Sequence, residues 1–173
     1  MSQVPLADIE CILLDYQSRT SVALLKLLCR DHWNISVKFV EAKDEFQDEI
    51  KGRTAGLLIG DRCLDYRQKA AHIYDLGEAW RSFNGLPFVF AVWVSRVALP
   101  ADFISAFDTA QAEGLRHLDE VVRAADYSNY DLNRYYTENI RYVFGALQKK
   151  ALGYFLDCIN RHAFSKEDTA GGT

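Results

Sequence analysis

The 173-residue chain lacks any apolar run of the roughly 18 to 20 residues that crossing a bilayer requires. Its opening, Met1-Ser2-Gln3-Val4-Pro5, shows no basic region followed by a long apolar stretch, so no secretory signal is expected there and a cytoplasmic location is the default. Cys11, Cys29, Cys63 and Cys158 include no Cys-x-x-Cys pair, which leaves a metal cluster or a small disulfide framework unsupported. Cys11 and Cys29 fall on apolar faces and are expected as reduced core residues. His32, His72, His117 and His162 show no metal-ligand spacing either. A net charge of -4 gives no electrostatic footprint for nucleic acid. Internal repeats and low-complexity blocks are also missing. Neither a metal nor a cofactor is expected, and neither a nucleic-acid nor a membrane partner.

What is present is an ordinary globular composition, 49% hydrophobic and 25% charged, in a length that suits one domain or slightly more. Short apolar runs alternate with helical patterns through residues 7–95. Ile9–Leu14, Ser36–Val40, Ala55–Ile59 and Phe88–Val94 read as strands, the third buried on both faces. Val22–Cys29 and the charged Asp44–Lys51 read as helices, followed by Arg62–Ala71 and a short helix or turn at Gly77–Phe83. Strands that alternate with helices argue for an α/β fold with a mostly parallel sheet. After Pro100 the pattern is helical: Ala101–Ala124 with Gly114 as an interruption, Asp131–Phe144, and Leu147–Phe164. Ser165–Thr173 reads as a disordered tail.

The segment Asp15-Tyr16-Gln17-Ser18-Arg19-Thr20-Ser21 stands between the first strand and the first helix. Ser18, Thr20 and Ser21 are each able to cap that helix. A helix start carries unpaired donors and partial positive charge, and Arg19 adds a fork matched to a carboxylate. Two readings compete: a seat for a carboxylate ligand, and a plain capped helix with Arg19 in solvent or paired with Asp15 or Asp61. Gly60-Asp61 closes the third strand, on the side of the sheet where open α/β folds bind ligands. Gly60 permits a positive φ. Asp61 is the candidate for proton transfer, although capping of the helix from Arg62 is the commoner role for such a residue. Tyr74, Trp80, Phe88, Phe90 and Trp93 form an aromatic set, mostly core, in which Phe88 and Phe90 share a strand face. His72 reads as a loop histidine, and Glu78 answers a helix dipole.

Three segments line up together: Leu14–Leu25, Ala55-Gly56-Leu57-Leu58-Ile59-Gly60-Asp61, and Tyr74–Trp80 running into Gly85–Trp93. With Asn139-Ile140-Arg141-Tyr142 and Gly153-Tyr154-Phe155 near the end, they resemble the chorismate dehydratase family of the futalosine route to menaquinone, from about Val4 to about Arg161. The resemblance implies a fold like that of type II periplasmic binding proteins, with two α/β lobes around a cleft. It implies removal of water from chorismate to give 3-[(1-carboxyvinyl)oxy]benzoate. Substrate binding then falls to Ser18, Arg19, Thr20, Ser21, Gly60 and Asp61, with the catalytic base unassigned beyond Asp61. Family members carry further residues ahead of the point where Met1 aligns, including an asparagine and a serine that contact substrate. Residues 1–97 are therefore expected as the second lobe, residues 98–164 as helices packing on the missing first lobe, and residues 165–173 as a tail. Truncation, a mis-assigned start and a split protein all fit this pattern. A fragment of this kind is expected to be poorly active and to form homo-oligomers through exposed helices. The rival readings are a non-catalytic carboxylate-binding module of the same fold and an inactive partner lobe.

Overall fold

A computed structural model describes residues 1–43, 45–125, 127 and 130–161. It is α/β, and the described chain divides into two compact units: Met1–Phe90 with the chain from Phe144 onward, and Ala91–Val143.

The first unit is built on a parallel three-stranded sheet, β1 (Cys11–Leu14), β2 (Lys38–Glu41) and β3 (Thr54–Gly56), in the order β2-β1-β3. Cys11 registers with Lys38 on one side and with Thr54 on the other. Parallel strands need a crossover, and α1 (Arg19–Asp31) supplies the one between β1 and β2. Alternation along β1 sends its side chains to two different cores. Ile12 and Leu14 join Leu25 and Cys29 of α1 with Ala55 and Leu57. Leu13 points the other way, to Phe46, Ile50, Leu58 and Tyr66. The far side of α1 is apolar as well. Leu24, Leu27 and Leu28, all at 0% exposure, pack with the fully buried Trp80 of α3 (Leu76–Asn84) and with Phe155 and Cys158 of α7 (Ala146–Arg161). Burial of such side chains stabilises the fold by about 1.5–3 kcal/mol each.

The third apolar run is buried as expected at Ala55, Leu57 and Leu58, but its strand starts at Thr54 and ends at Gly56, short of the expected Ile59. Gly56 is favoured by packing: a Cβ there would collide with the buried Ile50 side chain. The fourth expected strand does not form. Phe88–Val94 is free of ladder pairing, because the described residues offer it no neighbouring strand. Its start is held by aromatic packing instead, with Phe88 at 5.5 Å from Trp80 and 4.8 Å from Phe155 between ring centroids. Phe88 and Phe90 do share a face, 4.6 Å apart. Trp93, in the second unit, is 80% exposed and meets Phe107 edge-on with ring centroids 5.5 Å apart.

Several helices are shorter than their sequence patterns suggest. The expected helix Asp44–Lys51 is a 3-10 turn, Phe46–Glu49, entered through a left-handed Glu45, and Asp44 lies outside the described residues. Arg62–Ala71 divides into α2 (Asp61–Tyr66) and a 3-10 turn, Arg67–Lys69.

In the second unit, α4 (Ala101–Arg116) breaks at His117 and not at Gly114, and α5 (Leu118–Ala124) follows. Asp131–Phe144 is helical only through α6 (Leu132–Arg134) and a π-helical stretch, Tyr135–Asn139, after which Ile140 is extended. None of these elements buries a residue, so no packing surface holds the apolar stripe in a longer helix. The expected end of the last helix, His162–Phe164, and the tail Ser165–Thr173 lie outside the described residues. No described helix is long and apolar enough to cross a membrane.

Candidate functional site

Two loops meet beyond the carboxyl ends of β1 and β3, which are hydrogen-bonded neighbours. The first follows Leu14. Asp15 is 1% exposed, and its Oδ1 accepts the backbone N–H of Gln17 at 2.9 Å, folding the chain into a tight turn. Tyr16 stands half exposed at that turn. Ser18 is the N-cap of α1: its Oγ accepts Ser21 N–H at 3.1 Å and lies 2.9 Å from Ser21 Oγ. No acidic residue lies in the first turn of α1, so the partial positive charge there has no internal counter-charge.

The second loop follows β3. Gly60 has φ 64° and ψ -155°, a conformation essentially closed to residues with a Cβ. It turns the chain so that Arg62 reaches back to the first loop. Arg62 Nη2 donates to Asp15 Oδ2 at 2.8 Å and to Oδ1 at 3.1 Å. The Arg62 guanidinium lies over the Tyr16 ring, 5.6 Å from its centroid.

The structure redistributes the roles expected from sequence. Ser18 and Ser21 are engaged with each other in the cap. Arg19 is exposed and has no hydrogen-bond or ion-pair partner among the described residues, and Thr20 is half-buried. Arg62 takes the place beside Asp15 that was open to Arg19. Asp61 does not cap the following helix. Gly60 occupies the cap position with no side-chain bond, and Asp61 is an exposed acid in the first turn of α2. The ion pair brings the 15–21 loop beside Gly60, Asp61 and Arg62. Arg62 itself went unrecognised in the sequence. The available signal was Asp15, an acid at the end of a buried strand, which needs a cation once it leaves water.

Burial pushes the Cys63 thiol up, away from the thiolate a nucleophile needs. The His72 ring stacks on Tyr74 at 6.4 Å, while its backbone bridges to Ser2. His162 lies outside the described residues. Glu78 is exposed, and its N–H is accepted by Asp75, the cap of α3. An open hollow of about 420 Å³ at the end of α7, lined by Asp157, Asn160 and Arg161, shares no residue with the two loops. Among the described residues no group of three or more His, Cys, Asp or Glu is placed to hold a metal ion.

The sequence matches the menaquinone biosynthesis family over residues 1–161, a range that takes in both loops and α7. The chain belongs to that family. Chorismate dehydratase of Thermus thermophilus is 32% identical over 132 residues, 65% of this chain and 48% of that protein. The chain thus spans about half the length of this curated relative. Within the menaquinone biosynthesis family range, the unit without buried helices is included in full.

Proposed function

We propose that the chain is the second lobe and C-terminal helical part of a chorismate dehydratase, a cytoplasmic carbon–oxygen hydro-lyase that converts chorismate to 3-[(1-carboxyvinyl)oxy]benzoate. The observation that carries this reading is the alignment with a chorismate dehydratase over 132 residues, within a family match to residue 161. In this reading residues 1–97 are a lobe of the type II periplasmic-binding-protein kind. Residues 98–164 are the helical segment, followed by the tail 165–173. The exposed Phe103, Ile104, Leu115 and Val121 of α4 and α5 supply an apolar surface for the first lobe. The same surface supports homo-oligomers when that lobe is absent.

Chorismate is a dianion that loses a ring proton and a hydroxyl group, which leave together as water. Aromatisation of the ring drives the loss. The protein must hold two carboxylates, orient the hydroxyl and exclude solvent. Arg19 and the donors at the start of α1, with Ser18, Thr20 and Ser21 shaping the turn, suit one carboxylate. Gly60 leaves open backbone beside them, since no atom lies within 4 Å of where a Cβ would stand. Asp61, exposed at the same edge, is the candidate acceptor for the proton or for a hydrogen bond from the substrate hydroxyl.

The test is incubation of chorismate with this chain, alone and mixed with the part of the Thermus thermophilus enzyme that the alignment leaves uncovered, with products separated by liquid chromatography. Product only on mixing is the expected result. Full turnover by the chain alone would overturn the need for a first lobe. Saturable chorismate binding without product in either sample would favour a non-catalytic binding module.

A further inference from the structure

Arg62 is built in unlike a surface arginine. Its partner Asp15 has a side chain with no exposed area, whereas a quarter of the Arg62 side chain is still open to solvent. A guanidinium carries five N–H donors in one plane. Both bonds to Asp15 come from Nη2, which leaves the donors on Nε and Nη1 for another acceptor. Tyr16 covers a face of the plane. A buried ion pair is a poor source of stability, because apolar residues of the same volume usually do as well. It is a good way to fix an orientation, since the fork is rigid and one edge is tied down. Here the tied edge joins the loop after β1 to the loop after β3.

We infer that Arg62 is a carboxylate-binding residue of this corner, engaging an organic acid through Nε and Nη1, and that Asp15 is the positioning residue that holds its plane. This rests on the reading that an organic acid docks between the two loops. Arg19, exposed and unanchored by any bond among the described residues, is then a second contact for the anion, and Arg62 the one held in place.

The experiment is an NMR titration of the full 173-residue chain with chorismate. It follows the side-chain Nε–H signals of Arg62 and Arg19 and the backbone amides of residues 15–21. A saturable shift of the Arg62 signal is expected. In Arg62→Lys, which keeps a cation opposite Asp15, the apparent Kd should weaken roughly ten- to a hundredfold. Shifted loop amides with a stationary Arg62 signal and an unaltered Kd in Arg62→Lys would overturn the role of Arg62 and leave the corner intact as a docking place. Stationary signals throughout would remove the corner itself. Asp15→Asn addresses positioning: at temperatures well below its unfolding midpoint, with the amide spectrum still dispersed, its apparent Kd for chorismate should weaken roughly tenfold. A folded Asp15→Asn chain that binds as tightly as the original would overturn the positioning role.

Discussion

Single side chains decide what this corner can do. Arg19 is exposed and without a partner among the described residues, so its loss removes no internal bond. Arg19→Ala, made in the reconstituted two-lobe protein, should raise KM roughly ten- to a hundredfold, the loss of one charged contact, and leave the unfolding midpoint unmoved. Unchanged kinetics would dispose of its role on the substrate. Cys29 shows the opposite situation. Burial pushes its thiol up to about 12, so at pH 8 it is almost wholly protonated and inert. Alkylation at that pH, read by peptide mass spectrometry, should leave Cys29 the least modified of Cys11, Cys29 and Cys63. Cys11 differs from its sequence expectation, being only half-buried at the edge of β1.

At the scale of elements, the junction between α4 and α5 has a charge-dependent hinge pin. His117 sits between Glu113 and Glu120, at 2.9 and 3.0 Å, and these carboxylates raise its pKa above the usual histidine value. The raised value means that protonation favours the folded arrangement. The contribution is full below about pH 6.5 and is lost as pH climbs through the folded pKa. Helicity of the junction should therefore decline above neutrality in the native chain and lose that pH dependence in His117→Gln, measured by amide exchange. Glu113 and Glu120 stand four residues before and three after His117, a helical spacing, yet no local pattern marks the break at His117. Legibility follows the same rule elsewhere. β1, α1 and the buried run after Thr54 were plain because each pattern is satisfied by packing inside its own unit. The Phe88–Val94 strand failed because the described residues offer it no ladder partner, and the longer helix to Phe144 failed because none of its described residues is buried. The strand-end place of the candidate site was proposed from Ser18, Arg19 and Gly60. The Asp15–Arg62 pairing was not, because it joins residues 47 apart and no local pattern announces it.

Across the whole molecule, burial is uneven. Among the described residues every buried one belongs to Met1–Phe90 or to α7, and none to α4, α5 or α6. Sedimentation of the isolated chain should show concentration-dependent association, accompanied by binding of an apolar dye that the first-lobe polypeptide suppresses. A clean monomer that binds no dye would count against this. The unpaired run from Phe88 to Val94 has a separate consequence for handling the protein. It is seven residues of aromatic, β-branched and alanine side chains without a charge, bounded by Pro87 and Ser95. Such a run, lacking a ladder partner, is the kind of segment that seeds cross-β fibrils and inclusion bodies. Overexpression in bacteria should yield mostly insoluble material, and a single gatekeeper charge, Val92→Lys, should move a larger fraction into the supernatant.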